Sequence, residues 1–482
     1  MYDVAIIGSG VIGSGIAREL SRYHLRTVVV EKGSDVGIGT SKANSGIVHA
    51  GYNEKPGTLK ARLNVEGQRL FDHLAQQLDF SFKRCGSLVV CFDEEGVATL
   101  ENLKVQGEKN GLKGLSIIDG EGTRVLEPNL NQEVYAALFV PMGGIVSPYG
   151  MTIALAENAV ENGVEFLFNY LVEHVVKQGD GSFNIKSKDH NQPKIEAKVL
   201  INAAGLFSDH INNMLSRHKI EIQPSLGEYV LLDTTEKDLV SRTIFQLPTK
   251  LGKGVLVTPT VDGNILIGPT SKAVALKDDV STTLDGLKYV LGTGSLSVNK
   301  IKKEAIITSF AGLRAHGPGR EFLIGEAKDV PGLINLCGID SPGLSAAPAI
   351  AKEVEKLVVS LLAPTEKINF NPKRVAAPNF KKLTNGQRQA LIAQDANYGK
   401  MVCRCEMVTK GEILKALRSL PQISDVDAIK RRTRLGMGRC QGGFCHMKVI
   451  EILAEELNLN LTDVTKFGGH SKFLIEENKT FL

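Results

Sequence analysis

The sequence has no long hydrophobic run, no basic leader and few cysteines. No stretch of about 18 apolar residues occurs, so a transmembrane helix is not expected. Residues 1–8, MYDVAIIG, carry no cationic n-region and pass directly into a strand-like apolar segment, which argues against a secretory signal. Net charge is +4, and no long basic stripe with interleaved aromatics appears, so nucleic acid is not an expected partner. Internal repeats and low-complexity tracts are also missing. With seven cysteines in 482 residues, a disulfide framework is not indicated. These absences together point to a reducing, cytoplasmic setting. They leave peripheral membrane contact open, along with homo- or hetero-oligomers.

What is present is an ordinary globular composition, 43% hydrophobic and 23% charged, over a length that implies two to four packed units. Glycine is frequent at 49 residues, which suits close approach of backbone to a phosphate-bearing ligand. Residues 2–8 read as a buried strand, 11–23 as a helix and 26–31 as a second strand, together one βαβ unit. Further helices are expected over 61–80, 150–162, 347–362, 409–419 and 445–457, and strands over 85–92, 164–170, 198–205 and 332–339. From about 222 to 325 β-type runs dominate, predicting a mainly antiparallel sheet over a helix. Residues 363–398 are proline-, lysine- and asparagine-rich and read as a linker that wraps or bridges.

The turn between the first strand and helix is Gly8-Ser9-Gly10-Val11-Ile12-Gly13, and Glu31 ends the next strand about 20 residues on. Gly8 permits a tight turn, Gly10 leaves room for a pyrophosphate, and Gly13 lets helix and strand pack closely. The helix N-terminus offers free N–H groups to phosphate, and Glu31 can accept from a ribose. This fingerprint alone does not separate NAD from FAD. Two later segments favour FAD: GTSKANSGIVHAGY (39–52) and GIDSPGLSAAPAIA (338–351), a second glycine turn entering a helix. A long ribityl–pyrophosphate chain needs such backbone approaches from distant regions.

The cysteines are unevenly placed. Cys403-Arg404-Cys405 is C-x-C, and Cys440 and Cys445 form C-x₄-C further on. Two pairs of thiolates make a four-sulfur site for an iron–sulfur cluster or for zinc. C-x-C favours the cluster, because zinc fingers and ribbons use longer spacers. Gly436, Gly438, Gly442 and Gly443 would let backbone N–H groups reach the sulfurs. Lys430, Arg431, Arg432, Arg434 and Arg439 would offset cluster charge, or form a solvated face. Cys85, Cys91 and Cys337 lie in apolar strands and read as buried small hydrophobes.

These motifs, with INAAGLFSD (201–209), GVLVTPTVDGNILIGPT (254–270) and AGLRAHGPG (311–319), resemble the FAD-dependent D-amino-acid-oxidase-like superfamily over roughly 1–362. The likeness is to its glycerol-3-phosphate dehydrogenase and L-2-hydroxyglutarate oxidase members. Residues 400–455 resemble the bacterioferritin-associated-ferredoxin-like 2Fe–2S domain. The resemblance implies an α/β Rossmann-type FAD-binding domain (about 1–84, 146–215 and 326–362) with an inserted, mainly antiparallel β substrate domain (85–145 and 216–325). A small helical iron–sulfur domain (399–457) and a tail (458–482) follow the linker.

Expected FAD contacts are Gly8, Gly10, Gly13, Glu31, Thr40, Ser41, Asn44, Ser45, Ala204, Gly205, Asp340, Gly343 and Leu344. Expected cluster ligands are Cys403, Cys405, Cys440 and Cys445. Arg314 is the expected anion clamp, and His49 and His316 are candidates for proton transfer, each set against an ordinary loop or structural role. Lys253 and Arg320 are weaker candidates for a phosphate site, and Tyr52 and Tyr229 are pocket walls or core. The general base is not fixed by the sequence.

The implied reaction is hydride transfer from a small anionic secondary alcohol to flavin, with glycerol 3-phosphate ahead of L-2-hydroxyglutarate and an amine third. Electrons would then leave through the cluster to a protein or quinone. An electron-relay subunit and a zinc-stabilised binding protein are the competing classes.

Overall fold

The computed structural model describes residues 1–248 and 254–476. Strand Tyr2–Ile7 lies at the centre of an eight-stranded sheet, flanked in parallel by Thr27–Val30 and Ile195–Asn202. Thr27–Val30 pairs onward with Glu165–Leu167, and Ile195–Asn202 with Leu333–Cys337, both in parallel. Central parallel strands are covered on both faces; Val4–Ile7, Thr27–Val30 and Val199–Asn202 are accordingly buried without a break, whereas Ile195–Lys198 alternates between buried and exposed. Helices Val11–Leu20, Leu59–Leu78, Pro148–Glu161 and Gly343–Leu362 supply much of that cover. Val4, Ile6, Ile16, Leu20, Ile201, Ile350 and Val354 are fully buried in this core. The last helix begins at Gly343, four residues before the 347 expected, because the glycine turn enters it directly.

A second, nine-stranded sheet stands beside the first and is mainly antiparallel. Its long members, Gln223–Leu232 and Ile306–His316, pair from Gln223↔His316 to Leu232↔Ile306. Ser87–Cys91 and Thr243–Gln246 form a parallel pair within it. Helix Leu284–Ser297 packs on this sheet through Val290, with Leu287 and Leu291 beside it. One edge of this sheet carries helix Glu95–Lys109, which the sequence reading did not predict. Its apolar periodicity is weak, and burial of Leu100 and Leu103 against the sheet holds it in place.

Within residues 363–398, Asn371 accepts from Asn158 and Arg374 donates to Glu157, and helix Asn385–Gln394 follows. No residue of that helix is buried, so the apolar pattern is silent; a Thr384/Gln387 capping box starts it instead. The cysteine-bearing segment has its own core, built from helices Lys410–Leu417, Val426–Thr433 and His446–Leu457. The middle helix was not expected, because lysine and arginine fill its last turn. Beyond 458 the chain is not a simple tail. Val464 is fully buried in this small core, and Thr465 bridges to Asp425. Among the described residues no helix is long and apolar enough to cross a membrane.

Candidate functional site

One cavity of about 1430 Å³ runs between the two large sheets. At one end the first strand delivers Gly8 in a left-handed conformation (φ 102°), where a Cβ would lie 2.5 Å from the Ala203 carbonyl oxygen. A Cβ on Gly13 would lie 1.9 Å from the Gly8 oxygen, so Gly13 sets the helix–strand contact rather than lining the cavity. Gly10, Ala204, Gly205, Gly343 and Leu344 all face the space. The Glu31 carboxylate accepts from Ser9 N at 2.9 Å, Ser9 Oγ at 3.0 Å and Gly33 N at 3.0 Å. Its Oε1 keeps a lone pair for one further donor. A turn closed to a Cβ at Gly8, at a helix N-terminus whose N-cap is Gly10 and beside an oriented carboxylate, fits the pyrophosphate and ribose of a dinucleotide.

The wall continues through residues 39–47. Val11 N donates to Ser41 Oγ at 2.9 Å, Thr40 Oγ1 donates to Leu313 O at 2.8 Å, and Asn44 Nδ2 donates to Thr40 O at 3.0 Å. Thr40 and Asn44 therefore brace this loop with their side chains. Ser45 hydrogen-bonds Tyr229, a buried ring stacked on Phe310 at 5.0 Å. A Cβ on Gly312 would sit 1.9 Å from the Ala43 oxygen, so the loop rests directly on strand Ile306–His316. Gly312→Ala is expected to push the loop outward and weaken FAD binding at least tenfold (about 1.4 kcal/mol). Titration of the apoprotein with FAD by flavin fluorescence checks this.

At the other end lie the candidate catalytic groups. Arg314 lies across Gly227, where a Cβ would meet its Nη2 at 2.5 Å, and donates to Thr270 O at 3.2 Å. His316 Nε2 is 3.5 Å from Asp340 Oδ2. Asp340 in turn pairs with Lys60 at 2.6 Å, so its carboxylate belongs with this cationic group rather than with the dinucleotide cradle. Burial first, then Arg320, Arg314 and Lys60, pushes the His316 imidazole down to about 4. His49 lines the cavity, tilted on Phe245 with ring centroids 5.7 Å apart, its Nε2 3.5 Å from Ser341 Oγ. Tyr52 packs edge-on behind Phe245 in the core, outside the cavity wall. Lys253 lies outside the described residues.

Depression of His316 has a consequence for stability. Its folded value lies below the unfolded one of about 6.5, so the unfolded chain binds more protons between them. Stability from this group is complete above about pH 6.5 and is lost towards pH 4. The slope contributed is at most about 1.4 kcal/mol per pH unit. His316→Gln is expected to flatten that part of the stability profile, as read by urea melts across the window.

The four C-terminal cysteines converge in two pairs. Cys405 and Cys440 sulfurs are 3.6 Å apart, and Cys403 and Cys445 hydrogen-bond through theirs. A spacing near 3.6 Å suits two thiolates on one tetrahedral metal with bonds of about 2.3 Å. Among the described residues no three His, Cys, Asp or Glu side chains meet at a single ion position. Backbone N–H groups of Gly436 and Glu406 reach Cys403, and those of Gly442 and Phe444 reach Cys440. The hydrogen bond from Cys445, with these N–H groups, brings the Cys403 thiol down to about 6 despite burial.

The arginines of the basic run pair with carboxylates of the larger body. Arg431 and Arg432 both bind Asp35, at 2.6 and 2.8 Å. Arg434 reaches Asp262 at 2.7 Å, Asn264 at 3.1 Å, Tyr149 at 3.4 Å and Glu406 at 3.1 Å. Arg439 pairs with Asp233 at 2.7 Å. These arginines fasten the cysteine domain to the larger body.

Three contributors escaped the sequence reading. Lys60 stood inside NEKPGTLKA, where Arg62 follows it and gives no local cue to which charge is buried. Glu228, buried and held by Thr283 and Thr270, lines the cavity with no local cue. Phe467 reaches the same cavity from beyond the cysteine domain, where Ser34 Oγ donates to its carbonyl at 3.1 Å.

Comparison with known proteins agrees with this architecture. Residues 3–357 match the FAD dependent oxidoreductase family (DAO), and residues 401–455 match the BFD-like [2Fe-2S] binding domain. A glycerol 3-phosphate dehydrogenase of Caloramator mitchellensis is 48% identical over 481 residues, covering 100% of this chain and 99% of its own. The FAD-bound L-alpha-glycerophosphate oxidase of Mycoplasma pneumoniae superposes with a TM-score of 0.75 at 33% identity, over 78% of this chain and 99% of its own. Human mitochondrial L-2-hydroxyglutarate dehydrogenase is 32% identical, over 56% of this chain and 61% of its own. With a glycine turn on a parallel sheet, a cavity under a β roof and paired cysteines in a small separate core, the chain belongs to the FAD dependent oxidoreductase family and carries a [2Fe-2S] binding domain.

Proposed function

We propose that the chain oxidises sn-glycerol 3-phosphate to dihydroxyacetone phosphate and passes the electrons on singly through its cluster domain. The observation that carries this is the gathering of Arg314, Arg320 and Lys60 around His316 in the cavity. Such a set binds a small dianion, and the planar fork of arginine matches phosphate oxygens. When bound, FAD supplies the two-electron hydride acceptor and the 2Fe–2S cluster a one-electron carrier.

The chain's own residues divide the remaining work. Arg314 and Arg320 hold the phosphate, with Lys60 keeping Asp340 in place. His316, neutral at physiological pH, is matched to donating a hydrogen bond rather than to taking a proton, since its value lies far below the working pH. His49, beside Ser341 and braced by Phe245, takes the hydroxyl proton. Gly8, Gly10, Glu31 and the 40–45 loop hold the dinucleotide, and Cys403, Cys405, Cys440 and Cys445 hold the cluster. Tyr149, whose hydroxyl donates to Met437 Sδ at 3.6 Å three residues from Cys440, joins the flavin-binding body to the domain that would hold the cluster. The working division is 1–362 for flavin and substrate, 363–398 as a bridge and 399–457 for the cluster. Free thiols at Cys85, Cys91 and Cys337 suit a cytoplasmic setting.

The test is anaerobic. Purified protein is mixed with glycerol 3-phosphate, and separately with L-2-hydroxyglutarate, while the visible spectrum is recorded. Bleaching of flavin by the phosphate alone, followed by loss of the cluster bands, is expected. Bleaching by the hydroxy acid alone reassigns the substrate, and no response to either leaves an electron-relay role.

A further inference from the structure

The cysteine domain shows one side of its sulfur site to solvent. Cys403 and Cys445 are 1% and 2% exposed, whereas Cys405 is exposed and Cys440 half-buried. One ligand pair is thus inside the domain and the other at its skin. Beside the outer pair Phe444 is 87% exposed and Met447 51% exposed. The Phe444 N–H donates to Cys440 Sγ, so the ring is mounted on the loop that holds an outer sulfur.

The chain segment that carries this ring has charges of one sign only. Arg404, Arg439 and Lys448 are exposed, and no acidic residue occurs from Met437 to Ile450. Glu406, next to Cys405, is buried and paired with Arg434 and Lys381. Arg439 keeps 70% of its side chain exposed while paired with Asp233.

We propose that this basic, Phe444-centred face is the docking site of a small acidic one-electron carrier protein. The inference rests on the relay role proposed above. Exposed cations steer an anionic partner and fix its orientation, while one aromatic anchor gives a contact that forms and breaks quickly. Electron-transfer encounters of this sort use small interfaces, below about 1,200 Å². A bilayer is a poorer fit: helix His446–Leu457 buries Val449, Ile450, Ile452 and Leu453 in the domain core and has no apolar face left for lipid. The balance is simple. Oxidising one CH–OH to a carbonyl releases two electrons and two protons. Two oxidised carrier molecules each accept one electron at this face, and the protons pass to solvent.

The experiment measures binding of an acidic flavodoxin, as a probe, to the holoprotein by calorimetry at low and high salt. Micromolar binding at low salt that weakens at least tenfold at high salt is expected. The double variant Arg404→Glu/Lys448→Glu should lose at least tenfold in affinity, and Phe444→Ser several-fold. Flavin bleaching by glycerol 3-phosphate in the same preparations reads the catalytic proposal independently. Failure of flavodoxin to bind at low salt, or equal binding by the variants, overturns the assignment. Phe444-dependent binding to phosphatidylglycerol vesicles would overturn it in favour of a membrane, and self-association abolished by the double variant would give the face to a second copy of the chain.

Discussion

Replacing Asp35 with alanine is expected to release the cluster domain from the flavin-binding body. Asp35 is completely buried, and its carboxylate takes four hydrogen bonds: from Arg431 Nε at 3.2 Å and Nη2 at 2.6 Å, and from Arg432 Nη1 at 2.8 Å and Nη2 at 2.9 Å. Burial alone would raise its pKa, but Arg432 and Arg431 outweigh burial and hold it below the usual carboxylate range. Without the carboxylate, Arg431, 4% exposed, loses its ion-pair partner, and Arg432, 5% exposed, keeps only Glu157 at 3.8 Å. Breaking a buried pair from one side costs about 3–5 kcal/mol, a factor of roughly a hundred or more in the docked population. Flavin reduction by substrate should stay close to normal in Asp35→Ala, while the later reduction of the cluster slows sharply. Stopped-flow spectra separate the two phases, and limited proteolysis near 363–398 reports release. Because the Asp35 pKa is depressed on folding, its contribution is complete above about pH 4 and is lost as pH falls further. An unchanged cluster phase would show that docking does not depend on this pair.

Arg314→Lys is expected to lower kcat/KM for glycerol 3-phosphate by ten- to a hundredfold, mostly through KM. Lysine keeps the charge but loses the second parallel N–H, and charge-assisted hydrogen bonds are worth about 1.5–3 kcal/mol each. The position leaves little tolerance. The guanidinium lies against Gly227, donates to Thr270 O at 3.2 Å and bonds to Tyr229, so a lysine ammonium cannot keep all three relations. FAD content should be unaffected. A variant with normal KM would remove Arg314 from the anion site.

The legible parts of the site are those where local backbone chemistry restricts residue choice. Gly8 has a positive φ, and Gly13 has no room for a Cβ, so a glycine fingerprint in the sequence is a statement about geometry. The paired cysteines are legible for a similar reason, since thiolate is scarce and C-x-C spacing is restrictive. Helices with weak or absent apolar stripes were not legible. Asn385–Gln394 buries nothing, and Val426–Thr433 ends in lysine and arginine. Its charges looked like counter-ions to a cluster, yet their partner Asp35 stands 396 residues away from Arg431.

By itself, then, the sequence marked the glycine turn of the first βαβ unit, the two cysteine pairs and the mainly antiparallel run from about 222 to 325. Each of these depends on short-range sterics, on donor type or on periodicity. Tertiary structure alone decided that Lys60 and Asp340 join His316, that Phe467 reaches the flavin cavity, and that Arg431, Arg432 and Arg434 serve as fasteners. The physical reason is that a buried charge must find a partner wherever the fold brings one, and no local rule of the chain encodes which carboxylate that will be.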